Sequence, residues 1–225
     1  MQENKPISRG QARRQAILDA AATLFMEQGY EQTSLSDILE RSKGSRSTLY
    51  QQFGGKVGLL KALIQQVSQN FWQAVGQAPP PPALNESALA DLGYQLLQAA
   101  LDPRALAVLR LIQIVGPRSP EIADYFHDIG PRAVEEHIAR LFQQGWADLG
   151  LPADSPASPR DLAACFLWAV MGDTHIRAMV GVPSQWNEEK MRSLVAVRVR
   201  FFLHGMRGAA GAAATSVAAP DQRQA

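Results

Sequence analysis

Arg46, Ser47, Tyr50 and Gln51 lie within one short stretch, and their types and spacing suit the reading of nucleic acid bases. An arginine can donate paired hydrogen bonds to guanine O6 and N7, a glutamine can pair in the same way with adenine N6 and N7, and a serine can bond either base. Arg46, Ser47 and Gln51 are therefore the candidate base-reading residues. Around them stand side chains suited to backbone phosphate: Thr33, Lys43, Ser45, Thr48, Tyr50 and Lys56. Lys56 sits at the expected start of a helix, where the macrodipole disfavours a cation. A phosphate docked at the same place would remove that conflict. Arg13 and Arg14, near the start of the first helix, are either further phosphate contacts or solvated charges.

The stretch Thr33 to Lys56, TSLSDILERSKGSRSTLYQQFGGK, supplies the elements that position this set. Ser34 is placed to cap a first helix, and Asp37 can complete a capping box. Leu35, Ile38 and Leu39 give that helix one apolar face. Gly44 is expected to supply the turn, and Ser45 to cap a second helix. Leu49 and Phe53, one helical turn apart, face inward, which leaves Arg46, Ser47, Tyr50 and Gln51 on the outer side. A helix-turn-helix with such a face is a major-groove reader. Gly54-Gly55 ends the reading helix, and another starts near Lys56.

These residues carry a specific resemblance. The block from Ala16 to Leu63, with AILDAAATLFMEQGY, TSLSDI and STLYQQFGGKVGLL, resembles the DNA-binding head of the TetR family of bacterial regulators. Two departures stand out. The family often has Ala-Gly-Val-Ser before the reading helix, where this chain has Ser42-Lys43-Gly44-Ser45, and the Glu common after the family's Lys is Val57 here. The displaced glycine resembles the AefR-like branch, as does VLRLIQIVGPRSPEIADYFHDIGPRAV further on. The resemblance implies a dimer built mainly from the last two long helices, a palindromic double-stranded DNA operator, and a small-molecule effector pocket in the preceding helices.

Composition agrees with this reading. The chain has 225 residues and a net charge of +1, but the charge is uneven. Residues 1–61 hold nine Lys/Arg against six Asp/Glu, and residues 62–225 hold thirteen against fifteen, so the excess of cations lies at the N-terminal end. That asymmetry favours a polyanion there. One cysteine, Cys165, excludes an internal disulfide framework. Its neighbours Ala164 and Phe166 suggest a buried, inert thiol, with a redox sensor as the alternative. No apolar run is long enough to span a membrane, and a cytoplasmic protein is expected.

The expected fold is all-α: an N-terminal helix-turn-helix head of three helices and a larger helical domain for effector binding and dimerisation. The head covers residues 1–55, a connecting helix 56–78, a proline linker 79–83, the second domain 84–208 and a disordered Ala/Gly-rich tail 209–225. Residues 1–9 read either as a basic arm or as a loose terminus. Asp102-Pro103, Ser119-Pro120 and Ser158-Pro159 are helix start signals. The alternation of Val195, Val197 and Val199 also fits a strand, but the segment's length favours a helix.

Large or polar side chains in the apolar helices are candidates for the effector pocket: Tyr94, Gln113, His137, Trp146, Trp168, Met171 and His175. Side chains of this kind also build ordinary core. Phe166, Val170, Leu194, Val197, Phe201 and Phe202 are candidate dimer contacts, and periodicity does not separate that role from core packing. Asp173, His175 and Arg177 are polar positions in an apolar helix, read as a buried network or a dimer contact. Four scattered His and one Cys make no zinc set. No phosphate loop, G-x-S-x-G or H-E-x-x-H motif is present, and neither catalytic residues nor a cofactor are expected. The function implied is a sequence-specific transcriptional regulator, a repressor released by an apolar or amphipathic ligand. An activator, an effector-independent DNA binder, or a helical enzyme with a vestigial head are the alternatives.

Overall fold

A computed structural model of the chain describes residues 8–75, 83–150, 157–182 and 186–217, with side chains placed as far as Met206. All its regular elements are helical. They are α1 (Arg9–Gln28), α2 (Leu35–Ser42), α3 (Arg46–Phe53), α4 (Lys56–Val75), α5 (Glu86–Ala100), α6 (Pro103–Val115), a 3-10 turn at Gly116–Arg118, α7 (Pro120–Ile129), α8 (Pro131–Gln144), α9 (Pro159–Met179) and α10 (Glu188–Val217). Pro79 to Pro82, most of the loop after Leu149, and the first seven residues lie outside the described residues.

Helix starts follow local chemistry. The side chains of Ser8, Ser34 and Ser158 each accept from the backbone N–H three residues on, and Gln11, Asp37 and Asp161 reach back to close capping boxes. Pro103, Pro120, Pro131 and Pro159 each occupy a first helical position, where the missing N–H is no loss.

The chain divides into two compact units. The first contains the chain up to Asn70 together with Pro103–Gly130, so α6 and α7, placed by sequence in the second domain, pack with the N-terminal helices. Its core joins Ile17, Leu18, Phe25, Ile38, Leu49, Phe53, Leu59, Leu60 and Ile64 to Leu111, Ile112 and Ile122. Polar contacts fasten α7 to α4. Lys61 pairs with Glu121 and lies over the Tyr125 ring, and the Ser68 hydroxyl donates to the Ile129 carbonyl at 2.8 Å.

The second unit contains Phe71–Asp102 and the chain from Pro131 onward. Its core is centred on Leu89, Leu96, Leu97, Ile138, Phe142, Phe166, Val170, Val195 and Val199. Phe142, Phe166 and Phe202 form an aromatic cluster with ring centroids 5.4–6.0 Å apart. Gly93 permits the close approach of α5, since a Cβ there would lie 2.9 Å from Val195 and 3.0 Å from Val170.

Several sequence expectations change. The left-handed residue of the helix-turn-helix is Lys43, with φ 54°, and not Gly44. Gly44 lies in a tight place, where a Cβ would stand 3.0 Å from Ser42 Oγ and 3.2 Å from the Ile17 side chain. The last helix continues past residue 208, the expected end of the second domain, to Val217. Its end is rich in alanine, the best helix former, which offsets glycine costs of about 1 kcal/mol each. Residues 209–217, expected as part of a disordered tail, lie within this helix. Cys165 is exposed, not buried. Finally, α9 is broken at Gly172, whose φ of 49° and ψ of −150° are not helical.

Candidate nucleic-acid interface

The reading helix α3 is held at both ends. Ser45 Oγ accepts from the Thr48 N–H at 3.2 Å and bonds the Thr48 hydroxyl at 2.7 Å. At the other end Gly54 adopts a left-handed conformation and its N–H donates to the Tyr50 carbonyl, a common helix ending. Leu49 and Phe53 anchor the inner face in the core. Arg46, Ser47, Tyr50 and Gln51 are all exposed on the outer face. None of the four is drawn into an ion pair with a neighbouring helix among the described residues. The arrangement presents a guanidinium, a hydroxyl, a phenol and an amide on one rigid turn and a half of helix, which is the donor and acceptor set that base edges require.

The expected phosphate set separates into two groups. Lys43, Ser45 and Tyr50 are exposed and Thr48 half-buried. The Lys43 carbonyl accepts from the Arg13 guanidinium, so α1 braces the turn that carries this lysine. Thr33 is different. It is 1% exposed, and its hydroxyl donates to the carbonyls of Leu24 and Gly29. It fastens the end of α1 to the segment before α2 and does not offer its hydroxyl to a ligand. Lys56 is half-buried. Its ammonium donates to the Glu31 carbonyl at 3.1 Å and lies 4.5 Å from the Tyr30 ring centroid. Burial holds its pKa below the usual lysine value, with Glu31 opposing. The unfavourable helix start is thus compensated from within the protein, and no phosphate is needed to explain a lysine there.

Two features of the interface escaped the sequence reading. Gly58 lets the first turn of α4 lie against the end of α3, and Arg13 contacts the turn between α2 and α3. Gly58 stood in the quoted GGKVGLL stretch, where a glycine in the first turn of a helix was the available signal. Arg14 lies over the Phe53 ring at 5.1 Å and borders an open polar groove of about 350 Å³, with Gln15, Ala62, Gln65, Gln66 and Gln69.

The candidate effector residues are not brought to one place. Gln113 is exposed on α6 in the first unit, and Trp168 is 71% exposed on α9. Neither lines an interior of the second unit. Tyr94 is buried, with the Arg192 guanidinium 3.9 Å from its ring centroid. His137 meets the Trp72 ring edge-on at 5.3 Å. Trp146 packs against the core, Met171 is within it, and His175 is half-buried. The candidate dimer residues divide as well. Phe166 and Val170 are fully buried inside the chain, so they are core and not surface. Phe202 stacks on that core, and Leu194 is half-buried. Val197 and Phe201 are exposed, together with Trp168, Ile176 and Val180, which the sequence did not single out for this face.

A helix-turn-helix with an open reading face, joined to a second, wholly helical unit, defines the class of helical DNA-binding transcriptional regulators. Comparison with known proteins makes this specific. Residues 17–63 match the pattern of bacterial regulatory proteins of the tetR family, and residues 87–205 match the AefR-like transcriptional repressor C-terminal domain. The chain belongs to the TetR family, whose members are transcriptional regulators and not enzymes. It is 40% identical over 131 residues to the HTH-type transcriptional repressor ComR of Escherichia coli, covering 57% of this chain and 62% of that protein. It is 32% identical over 139 residues to the HTH-type transcriptional repressor Rv3405c of Mycobacterium tuberculosis, covering 58% and 70%. Among solved structures, the flavonoid-responsive regulator FrrA superposes with a TM-score of 0.72 at 27% identity, covering 86% of this chain and 96% of that one. A TetR-family regulator of Pseudomonas syringae shares the fold, with a TM-score of 0.66 at 20% identity, covering 91% and 97%. Among the described residues no helix is long and apolar enough to cross a membrane, and no cluster of metal-ligating side chains is present.

Proposed function

We propose that this regulator is a homodimeric repressor that occupies a palindromic operator and leaves it when a small apolar or amphipathic molecule binds the second unit. The observation that carries the DNA half is the exposed set of Arg46, Ser47, Tyr50 and Gln51 on an α3 capped at both ends. One such helix covers only a few base pairs. A two-fold dimer presents two, to major grooves about 34 Å apart. Support for self-association comes from α9 and α10, where Trp168, Ile176, Val180, Val197 and Phe201 are exposed. Large apolar side chains gathered on exposed helix faces mark an interaction surface.

The AefR-like repressor domain favours repression. The flavonoid response of FrrA supports an aromatic, amphipathic effector for this chain. Such a ligand acts only through unequal affinity for two states of the protein. A coupling of about 1–3 kcal/mol changes operator affinity by about 5- to 150-fold, enough for a switch. Selection of bound sequences from random DNA duplexes, with purified protein at near-physiological salt, tests the reading. A palindromic motif with half-sites about one helical turn apart is expected. Recovery of a single unpaired half-site would remove the dimeric reading, and enrichment of nothing, with and without a flavonoid, would remove the operator.

A further inference from the structure

The break in α9 and the side chain that fills it form one device. Phe166 and Val170 are fully buried. Thr174, one turn on from Val170, stays buried, while Asp173, Arg177 and Val180 are exposed. At Gly172 the backbone leaves the helical region and the helix kinks.

Arg198 of α10 occupies the gap. Its guanidinium donates to the carbonyls of Val170 at 2.6 Å and Met171 at 3.3 Å. It also donates to the Asp173 carboxylate and the Thr174 hydroxyl, each at 2.9 Å. The fit is close: a Cβ on Gly172 would lie 2.7 Å from Arg198 Nη2. The Arg198 side chain is only 15% exposed, against 75% for Asp173. Next to it along α10 stands Val197 and, one turn on, Phe201, both exposed, while Ile176 and Val180 follow the break on α9.

We infer that Arg198 is a positioning residue for self-association: by clasping the kink at Gly172 it holds the second half of α9 in place, and with it the side chains that helix offers to a second copy of this chain. The inference rests on the homodimer reading above. Without the guanidinium the Val170 and Met171 carbonyls lose this donor, and the second half of α9 is no longer held at Gly172. Part of the apolar face is then lost while α3 is untouched.

The test is sedimentation equilibrium of the full chain, as parent, Arg198→Ala, Arg198→Lys and Asp173→Ala, alongside binding to a full palindromic operator and to a single half-site. Arg198→Ala is expected to raise the dimer dissociation constant by about tenfold or more, and to weaken full-site binding while leaving the half-site unchanged. Arg198→Lys keeps the charge opposite Asp173 but not the span across the break, and is expected to fall between. Asp173→Ala removes only the exposed arm, and is expected to raise the constant about threefold, as for a surface pair; it decides the matter if Arg198→Ala does not fold. A general loss of structure would weaken full site and half-site alike, and would overturn the positioning role. An unchanged dimer constant would overturn it while the homodimer reading stands. A monomeric parent would remove both.

Discussion

A Cβ on Gly58 would fall 1.6 Å from the carbonyl oxygen of Phe53. The first turn of α4 thus lies directly on the end of the reading helix, with only Gly54 and Gly55 between them. Because the obstructing atom belongs to the backbone, no rotamer change relieves it. Gly58→Ala is expected to cost about 3 kcal/mol, the upper end for forcing atoms into packed space, read as a lower urea midpoint. A variant as stable as the parent would mean that α4 does not seat on Phe53 in this way.

Lys43 and Gly44 share the turn before the reading helix, and the lysine takes the left-handed conformation. A left-handed L-residue costs about 1–2 kcal/mol, part of which glycine gives back through chain entropy of about 0.4–1 kcal/mol. Lys43→Gly is therefore expected to raise stability by about 0.5–1 kcal/mol. The same change removes a cation beside α3, so affinity for all DNA sequences falls and the salt slope decreases by about 1. Stability and DNA affinity move in opposite directions. Chemical denaturation and a salt titration of DNA binding read the two, and parallel changes would contradict the assignment.

Thr33 and Arg46 separate folding from reading. Thr33→Val removes the hydroxyl that serves the Leu24 and Gly29 carbonyls, at an expected cost of about 1–2 kcal/mol. Since that hydroxyl is buried, the salt dependence of DNA binding is expected to stay as in the parent. Arg46→Ala and Gln51→Ala are expected to do the reverse. Both side chains are exposed, so stability barely changes, while preference relaxes at particular operator positions by about 1–3 kcal/mol per contact. Binding to a panel of single-base operator variants checks this. A uniform loss across the panel would reassign either residue to phosphate.

What the sequence made legible was local. Capping at Ser34 and Ser158 and the inward pair Leu49 and Phe53 depend on residues three or four apart, which periodicity and capping rules address directly. The outer face of α3 followed from the same spacing. Contacts between distant segments were not legible. Nothing near Thr33 announces that its hydroxyl is spent on the end of α1. Arg13 reaches Lys43, and Arg198 reaches the break at Gly172, across chain separations that no window spans. Phe166 and Trp168 show why the second unit resisted reading. They stand two residues apart on one apolar helix, one fully buried and the other 71% exposed. Periodicity can divide such a helix into faces, but when both faces carry large apolar side chains it does not say which one the chain itself covers.

Two histidines give the second unit a predictable acid response. Burial holds the His137 imidazole below the ordinary histidine value, and the charge of Arg140 lowers it further. Burial alone does the same to His175. In the folded protein both favour the neutral form, whereas in the unfolded chain they take up a proton near pH 6.5. Below that pH the unfolded state binds more protons than the folded one, so unfolding free energy falls as pH falls, and levels off once the folded imidazoles protonate too. Stability is therefore expected to decline between about pH 7 and 5.5, above the range where carboxylates titrate. Urea midpoints across that interval measure the decline. His137→Phe keeps a ring against Trp72 and removes the titrating group, and is expected to flatten the profile, as is His175→Gln. A double variant with the parent's full pH dependence would place the acid sensitivity elsewhere in the chain.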